Sequence, residues 1–516
     1  MNFPTADQTA TNCGSTRNRV DTRGSQWLVA ALLAIGLFAG LTHRISGARV
    51  EKDAAQNVQL ALNLERQGTI SLEPTAPYVP SNYREPVPVL VSALIIRLMD
   101  GVNGPAPPAA YFQGERVRLL KCQNLIWLAL LSVGAFWATR RLSSSFYLAL
   151  LGVVLVNFRF LHGGTELDDL YTDIPAAAVL MLASLSLANT IGHRKLGSAV
   201  LTGLLFGVLT LTKAAILYVF GGVVIVVIGI HLVQREARPL RDAAAQWAAM
   251  LIAFGCVIAP WIYRNHIQLG TYQISERAGV NLLVRAVHDR MTPEEYRGTF
   301  YVWAPPGLQE GLGHVLGFSP ADLRRHGRLQ RLNDGDSDFA AQDLAAEQAG
   351  APQNAISYYR LARAERVKLG AELDAAGTPH PQIAADNELR NRAIGIIEQH
   401  PLTHLALNIS FLWRGAALLF PILVIALWSS ARRRQYEVIA FAATAFGAVL
   451  FYAFCSPFIG RFALPMRPIA VVALLVTINA AVDRKQESGS RWLTAPRRRD
   501  LHARPTQSGR RECERV

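Results

Sequence analysis

Five ionisable residues of this sequence could do chemistry: Asp53 in the loop 43–88, Asp168 in an acidic turn, and Lys213, Arg264 and Arg461, each where a long apolar run ends. Two acids and three cations so placed could pair a proton acceptor with a binding site for a phosphate-bearing substrate. Asp53 opens the stretch 52–68, in which Leu60 and Leu64 recur at helical spacing, so the acid is expected at the start of a helix. Capping that helix is a competing role for it. Asp168 belongs to an acidic turn with Glu166, Asp169 and Asp173, and residues 164–173 contain no Lys or Arg. The turn offers a second carboxylate to position a substrate or a metal, or is solvated surface. Lys213 is the single Lys, Arg, Asp or Glu in 196–233; Arg264 follows Trp261 and Tyr263, and Arg461 precedes the last apolar run. An Arg can hold phosphate by its planar fork and a Lys as a point charge, whereas both can also snorkel to lipid headgroups.

The elements that must position these groups follow from composition. Of 516 residues 51% are hydrophobic and 17% charged, too apolar for an ordinary soluble chain. The apolar runs are long enough for about ten transmembrane helices, near 26–41, 119–138, 146–161, 174–193, 196–233 (two), 244–263, 413–429, 436–454 and 466–482. The run 87–99 is short and is expected as a half-buried helix at the interface. The fold class is therefore an all-α polytopic membrane protein with a mostly helical periplasmic subdomain. Its expected parts are a cytoplasmic segment 1–25, a membrane module 26–263 with a first outer loop 43–118, a subdomain 264–412, C-terminal helices 413–482, and a basic disordered tail 483–516. The net charge of +14 lies largely in short loops and the C-terminal tail, a positive-inside pattern rather than a nucleic-acid footprint. On that pattern both termini face the cytoplasm, and all five candidate residues share the outer face. Arg116, Arg118 and Lys121 do not fit it. The five cysteines, at 13, 122, 256, 455 and 513, show no pairing or metal spacing, and no disulfide framework is expected.

Several stretches in order resemble the bacterial GT-C glycosyltransferases, the integral-membrane superfamily that includes protein O-mannosyltransferases and the lipid A aminoarabinose transferase. The carriers are Asp53-Ala54-Ala55-Gln56 with Ala61-Leu62-Asn63-Leu64 and Gly68, then Arg84-Glu85-Pro86-Val87-Pro88, then the run from Gly207 to Lys213. Ala259-Pro260-Trp261-Ile262-Tyr263-Arg264-Asn265 follows with Gly270, Gly279 and Asn281, then Glu398-Gln399-His400-Pro401, and finally Gly460-Arg461-Phe462-Ala463-Leu464-Pro465. Ala54 stands where these enzymes often carry a second acid. The resemblance implies inverting transfer of a sugar from a polyprenyl-phosphate donor to a lipid, glycan or protein acceptor, at the outer face of the cytoplasmic membrane. It implies Asp53 as general base and Lys213, Arg264 and Arg461 as donor-phosphate cations. Asp168 is the preferred second carboxylate.

A transporter or flippase of a lipid-linked saccharide is the alternative. That class places ionisable residues at mid-membrane and shows repeated halves, whereas the charges here cluster at run ends. His162, His266 and His288 lack metal-ligand spacing, so no metal ligand and no cofactor are assigned, with a divalent ion left open. The partners expected are the donor, the acceptor and membrane lipids, with no nucleic acid.

Overall fold

Apolar runs bounded by Gly, Pro and charge clusters dictate helices, and in the computed structural model every regular element among the described residues is helical. The structure describes residues 22–494 apart from 164, 194, 235–239 and 336–338. Helix α1 (Thr22–Thr42) leads into a loop and α2 (Lys52–Gln67), which ends on Gly68 in the left-handed conformation. Then come α3 (Pro86–Asn103), α4 (Glu115–Lys121), α5 (Gln123–Ser143) and α6 (Phe146–His162). After the acidic turn, α7 (Asp173–His193) is followed by α8 (Leu196–Thr212), α9 (Ile216–Val233) and α10 (Leu240–Leu269). The long apolar run 196–233 thus breaks at Lys213, as its single charge suggested.

Among the described residues seven helices are long and apolar enough to cross a membrane, a further pair would count as one span if its bend is ignored, and residues 26–42, α6 and α8 are shorter apolar helices. Helix α7 is the hub. It packs against α5, α8 and the later α19 (Tyr436–Cys455), and 83% of its apolar window is buried. Small residues permit the close approach: a Cβ on Gly203 of α8 would lie 2.1 Å from the Met250 carbonyl of α10. Exposed apolar residues, among them Leu28, Leu32, Ile35, Leu90, Leu94 and Ile225, cover the outside of the bundle.

The polar segment folds as α11 (Ala278–Ala286), α12 (Pro293–Val302), α13 (Pro306–Leu316), α14 (Ala340–Gln348), α15 (Tyr358–Ala375) and α16 (Pro381–Gln399). It has its own core around Leu283, Leu329, Tyr358, Ala362 and Leu389. The expected apolar face of α16 is there, with Leu389, Ala393 and Ile396 buried. Asp386 of α16 accepts from the backbone N–H groups of Gly279 (2.9 Å) and Val280 (3.0 Å), closing the start of α11 from another helix.

The chain ends with α17 (Pro401–Ala416), α18 (Leu419–Arg432), α19 (Tyr436–Cys455) and α20 (Arg467–Thr494). Four expectations change. Residues 413–429 are not one straight span, because α17 and α18 meet at a 102° bend. Arg414 pairs with Asp334 (3.1 Å) and lies over Trp303, holding α17 to the polar segment. Helix α10 continues past 263 to Leu269 through Pro260, so Arg264 rides on a helix. Residues 86–103 form an 18-residue apolar helix, longer than the dozen residues expected at an interface. Finally, α20 runs to Thr494, beyond the expected start of the disordered tail at 483. Residues 495–516 and 1–21 lie outside the described residues.

Candidate functional site

The N-terminus of α2 lies where the first loop, the acidic turn, the α8–α9 turn and the loop before α20 converge. Asp53 sits in the first turn of α2, but its carboxylate does not cap it: Glu51 occupies the cap position, without a side-chain bond to the backbone. The capping role for Asp53 is overturned. Its carboxylate instead accepts from Arg84 on one oxygen and from Arg461 Nη2 (2.9 Å) on the other. Arg461 Nε also donates to Asp173 (2.8 Å), and the other oxygen of Asp173 is taken by the Lys213 ammonium. The result is a chain, Arg84–Asp53–Arg461–Asp173–Lys213, that links residues 408 positions apart at the end of the bundle.

Local packing holds each member. Arg84 is 4% exposed and donates through Nε to Gln56 (3.0 Å) one turn after Asp53. The Arg461 guanidinium lies 3.9 Å from the Tyr171 ring centroid, and Lys213 lies over the rings of Phe462 (5.7 Å) and Tyr452 (6.0 Å). Glu85 fixes the turn after Lys213 by accepting from the Ala214 N–H (3.1 Å). Arg277 adds a further cation. Among the described residues it has no carboxylate ion pair, and it lies over the Tyr83 ring (5.3 Å), as Arg366 does (4.9 Å).

The electrostatics follow from this surplus of cations. Burial opposes ionisation of Asp53, yet Arg84, Arg277 and Arg461 together hold its carboxyl well below the usual carboxylate range. Burial would likewise raise the Tyr83 phenol, and Arg366, Arg277 and Arg84 bring it down to about 8. Glu276, 7% exposed, goes the other way. Burial and the nearby Asp386 push it up to about 7, against the opposing charges of Arg366 and Arg277.

That shift gives a pH-dependent stability. An acid raised in the folded state keeps its proton where the unfolded chain, at the ordinary value of 4.5, has lost it, so stability falls as pH rises from 4.5 to about 7. Glu276→Gln removes the effect. The variant is expected to exceed the parent by about 1–3 kcal/mol near pH 8 and to lose that advantage near pH 5, as read by denaturation at both pH values.

The remaining candidates lie elsewhere. Asp168 is not in the chain: it accepts from the Ser46 N–H (2.6 Å) and hydroxyl and from Lys121 Nζ (3.0 Å), and so ties the loop after α1 to the acidic turn. Lys121 is fully buried and also donates to the carbonyls of Ser46 and Ala48, and Arg116 is satisfied by Asp100 and two carbonyls. Two of the three cations that did not fit the charge pattern are therefore consumed internally. Arg264 donates to the Ser81 carbonyl (3.0 Å) and to Asn265, and stacks over Trp261 (4.9 Å), pinning the loop that carries Arg84. The structure thus joins Asp53, Lys213 and Arg461 and adds Arg84, Asp173, Gln56 and Arg277. Arg84 stands in a stretch that carries the family resemblance, and Asp173 stands in the acidic turn; those were the available signals. Among the described residues no group of three or more His, Cys, Asp or Glu could hold a metal ion. No protein-family model matches the chain, and no curated protein is similar to it.

Proposed function

We propose that the chain is an inverting membrane glycosyltransferase that moves a sugar from a polyprenyl-phosphate carrier to an acceptor hydroxyl or amine. The observation that carries the reading is the charge arrangement at the bundle end. Four cations, Arg84, Lys213, Arg277 and Arg461, surround the two carboxylates of Asp53 and Asp173. The surplus is suited to an anion, and the apolar helices beneath are suited to a polyprenyl tail.

With its two arginines in place Asp53 is a poor base. A donor phosphate competes with the carboxylates for Arg461 and Lys213, and drawing Arg461 away raises the proton affinity of Asp53. Donor binding thereby prepares the base. The acceptor oxygen or nitrogen then attacks the anomeric carbon as the bond to phosphate breaks. The phosphate oxygen keeps the electron pair, and Asp53 takes the acceptor proton. Arg461 has the central place, since it touches both carboxylates and is free to trade either for phosphate. The active site faces the outer side of the cytoplasmic membrane in this reading, with ten spans.

The test is transfer from a polyprenyl-phosphate sugar by purified protein in nanodiscs. Arg461→Gln is expected to raise the donor concentration for half-maximal rate about tenfold or more, the loss of one charged hydrogen bond, and Arg461→Lys to restore part of it. Unchanged donor dependence in both variants defeats the assignment of Arg461. Absence of transfer from every carrier-linked sugar tried defeats the reading itself.

A further inference from the structure

A second cationic pocket lies beside the Asp53 cluster and takes no part in the chemistry above. It is a cavity of about 510 Å³ between the end of α6 and the start of α20. Arg159, His162 and Arg467 supply its polar lining, and Leu155, Phe158 and Val471 supply apolar wall. Leu155 and Phe158 are 42% and 54% exposed on the outside of the bundle, so the wall is reached from the flank of the helices.

The charges here are not balanced. Arg159 pairs with Glu166, and Arg467 donates to the Gly460 carbonyl (3.1 Å) without an ion pair of its own among the described residues, though Glu166 is near enough to act on it, so the two guanidiniums share one carboxylate. A third cation, Arg44, donates to the Leu161 carbonyl next to His162 and likewise has no ion pair among the described residues. His162 Nδ1 faces the Phe158 carbonyl (3.1 Å) and so donates to it, and Nε2 has no hydrogen-bond partner among the described residues. Two guanidiniums in one cavity repel unless an anion lies between them.

We propose that this cavity holds the phosphate of a lipid, with Arg159 and Arg467 on the phosphate oxygens and the lipid's chains along Leu155, Phe158 and Val471. A free phosphate ion gains nothing from the apolar wall, and a wholly apolar tail leaves the arginines unmatched. A phosphate ester on a hydrocarbon chain answers both halves, and the volume fits such a headgroup. The proposal requires only that these helices lie in a membrane and does not depend on sugar transfer. The cavity adjoins the Asp53 cluster, because the Gly460 carbonyl held by Arg467 belongs to the residue just before Arg461.

Lipid retention by the purified full chain tests it. The protein is reconstituted with phosphatidylcholine alone, with added phosphatidylglycerol, or with added polyprenyl monophosphate, and bound lipid is read by native mass spectrometry. Selective retention of either net-anionic lipid over phosphatidylcholine, whose phosphate charge is offset by its own choline ammonium, is expected, and the arm that retains it names the source. Arg467→Gln and Arg159→Gln are each expected to cut retention about tenfold, while Arg118→Gln, an exposed arginine at the same end, leaves it unchanged. Two variants guard against loss of folding in one, and thermal stability is measured for all three. Equal retention in both cavity variants overturns the proposal, as does equal loss in the Arg118 variant. Complete stripping of the lipid by excess inorganic phosphate also overturns it, since that marks a site for the free ion.

Discussion

Asp53→Asn is expected to lower sugar transfer by about 100-fold to 10,000-fold, the range typical of losing a general acid or base, while the protein still inserts and binds the donor. The substitution keeps the shape and an accepting oxygen but removes the charge and the ability to take a proton at neutral pH. Because Asp53 bonds no backbone N–H, loss of a helix cap does not enter. What enters is the arginine pair. Arg84 is buried and keeps Gln56 as an acceptor, and Arg461 keeps Asp173, so neither cation is orphaned. The stability cost is accordingly expected near 1–2 kcal/mol, well short of the 3–5 kcal/mol for stranding a buried charge. The Asp53 carboxyl is depressed in the folded state, so its stabilising contribution is full above its ordinary value of 3.8 and is lost only as pH falls below it. Stability of parent and variant should therefore differ by a constant amount between about pH 5 and pH 8. Transfer at the parent rate by the Asn variant removes Asp53 from the chemistry.

The same residues show how much of the site was legible beforehand. Lys213 and Arg461 were visible because a charge at the end of an apolar run is conspicuous in a hydrophobic sequence. Asp53 was visible only through its helical context and the resemblance carried by the stretch around it, since other charges surround it in its loop. The choice among the carboxylates of the acidic turn was not legible. Asp168 and Asp173 are five residues apart in one short turn, and only the fold shows that the first turns toward Ser46 and Lys121 while the second opens α7 against Lys213. Arg84 lay within a quoted stretch, yet nothing in the sequence distinguishes an arginine buried against Asp53 from one that pins a loop, as Arg264 does. The helices themselves were largely readable from apolar run length. Run length alone misses the bend at Ala417–Leu418, which has local signals in Gly415 just before it and Pro421 just after it, whose missing N–H cannot bond the Ala417 carbonyl; the contacts of Arg414 with the distant residues Asp334 and Trp303 were not legible at all.

Arg285 was invisible in the sequence for a related reason, and the largest stability effect is expected there. It lies in α11 within the polar segment, where one more arginine carries no signal, and yet its side chain is fully buried. Its guanidinium donates to Asp289 (3.0 Å), the Ala453 carbonyl (3.0 Å), the His404 carbonyl (2.8 Å) and Asn408 (3.1 Å), and lies 4.5 Å from the Phe411 ring centroid. Burial lowers it only to about 10, with Asp289 opposing, so it stays charged at neutral pH. Asp289 in turn accepts from His404 Nδ1 (2.8 Å), whose Nε2 faces the Phe454 carbonyl (3.0 Å). One cation thus joins the polar segment to α17 and to the end of α19, the helix that packs on the hub α7. Arg285→Ala takes the paired guanidinium from the buried Asp289, which keeps only its His404 contact, and leaves the Ala453 carbonyl and the His404 carbonyl without this donor. A loss of about 3–5 kcal/mol is expected, the range for breaking a buried pair on one side. Arg285→Met combined with Asp289→Asn removes both charges and fills most of the volume, so the double variant should be more stable than Arg285→Ala. Thermal unfolding in detergent reads both. If the double variant is as unstable as Arg285→Ala, the charge left at Asp289 is not the cause. The hydrogen bonds from Arg285 to the backbone of α17 and α19 then carry the joint between the polar segment and the bundle.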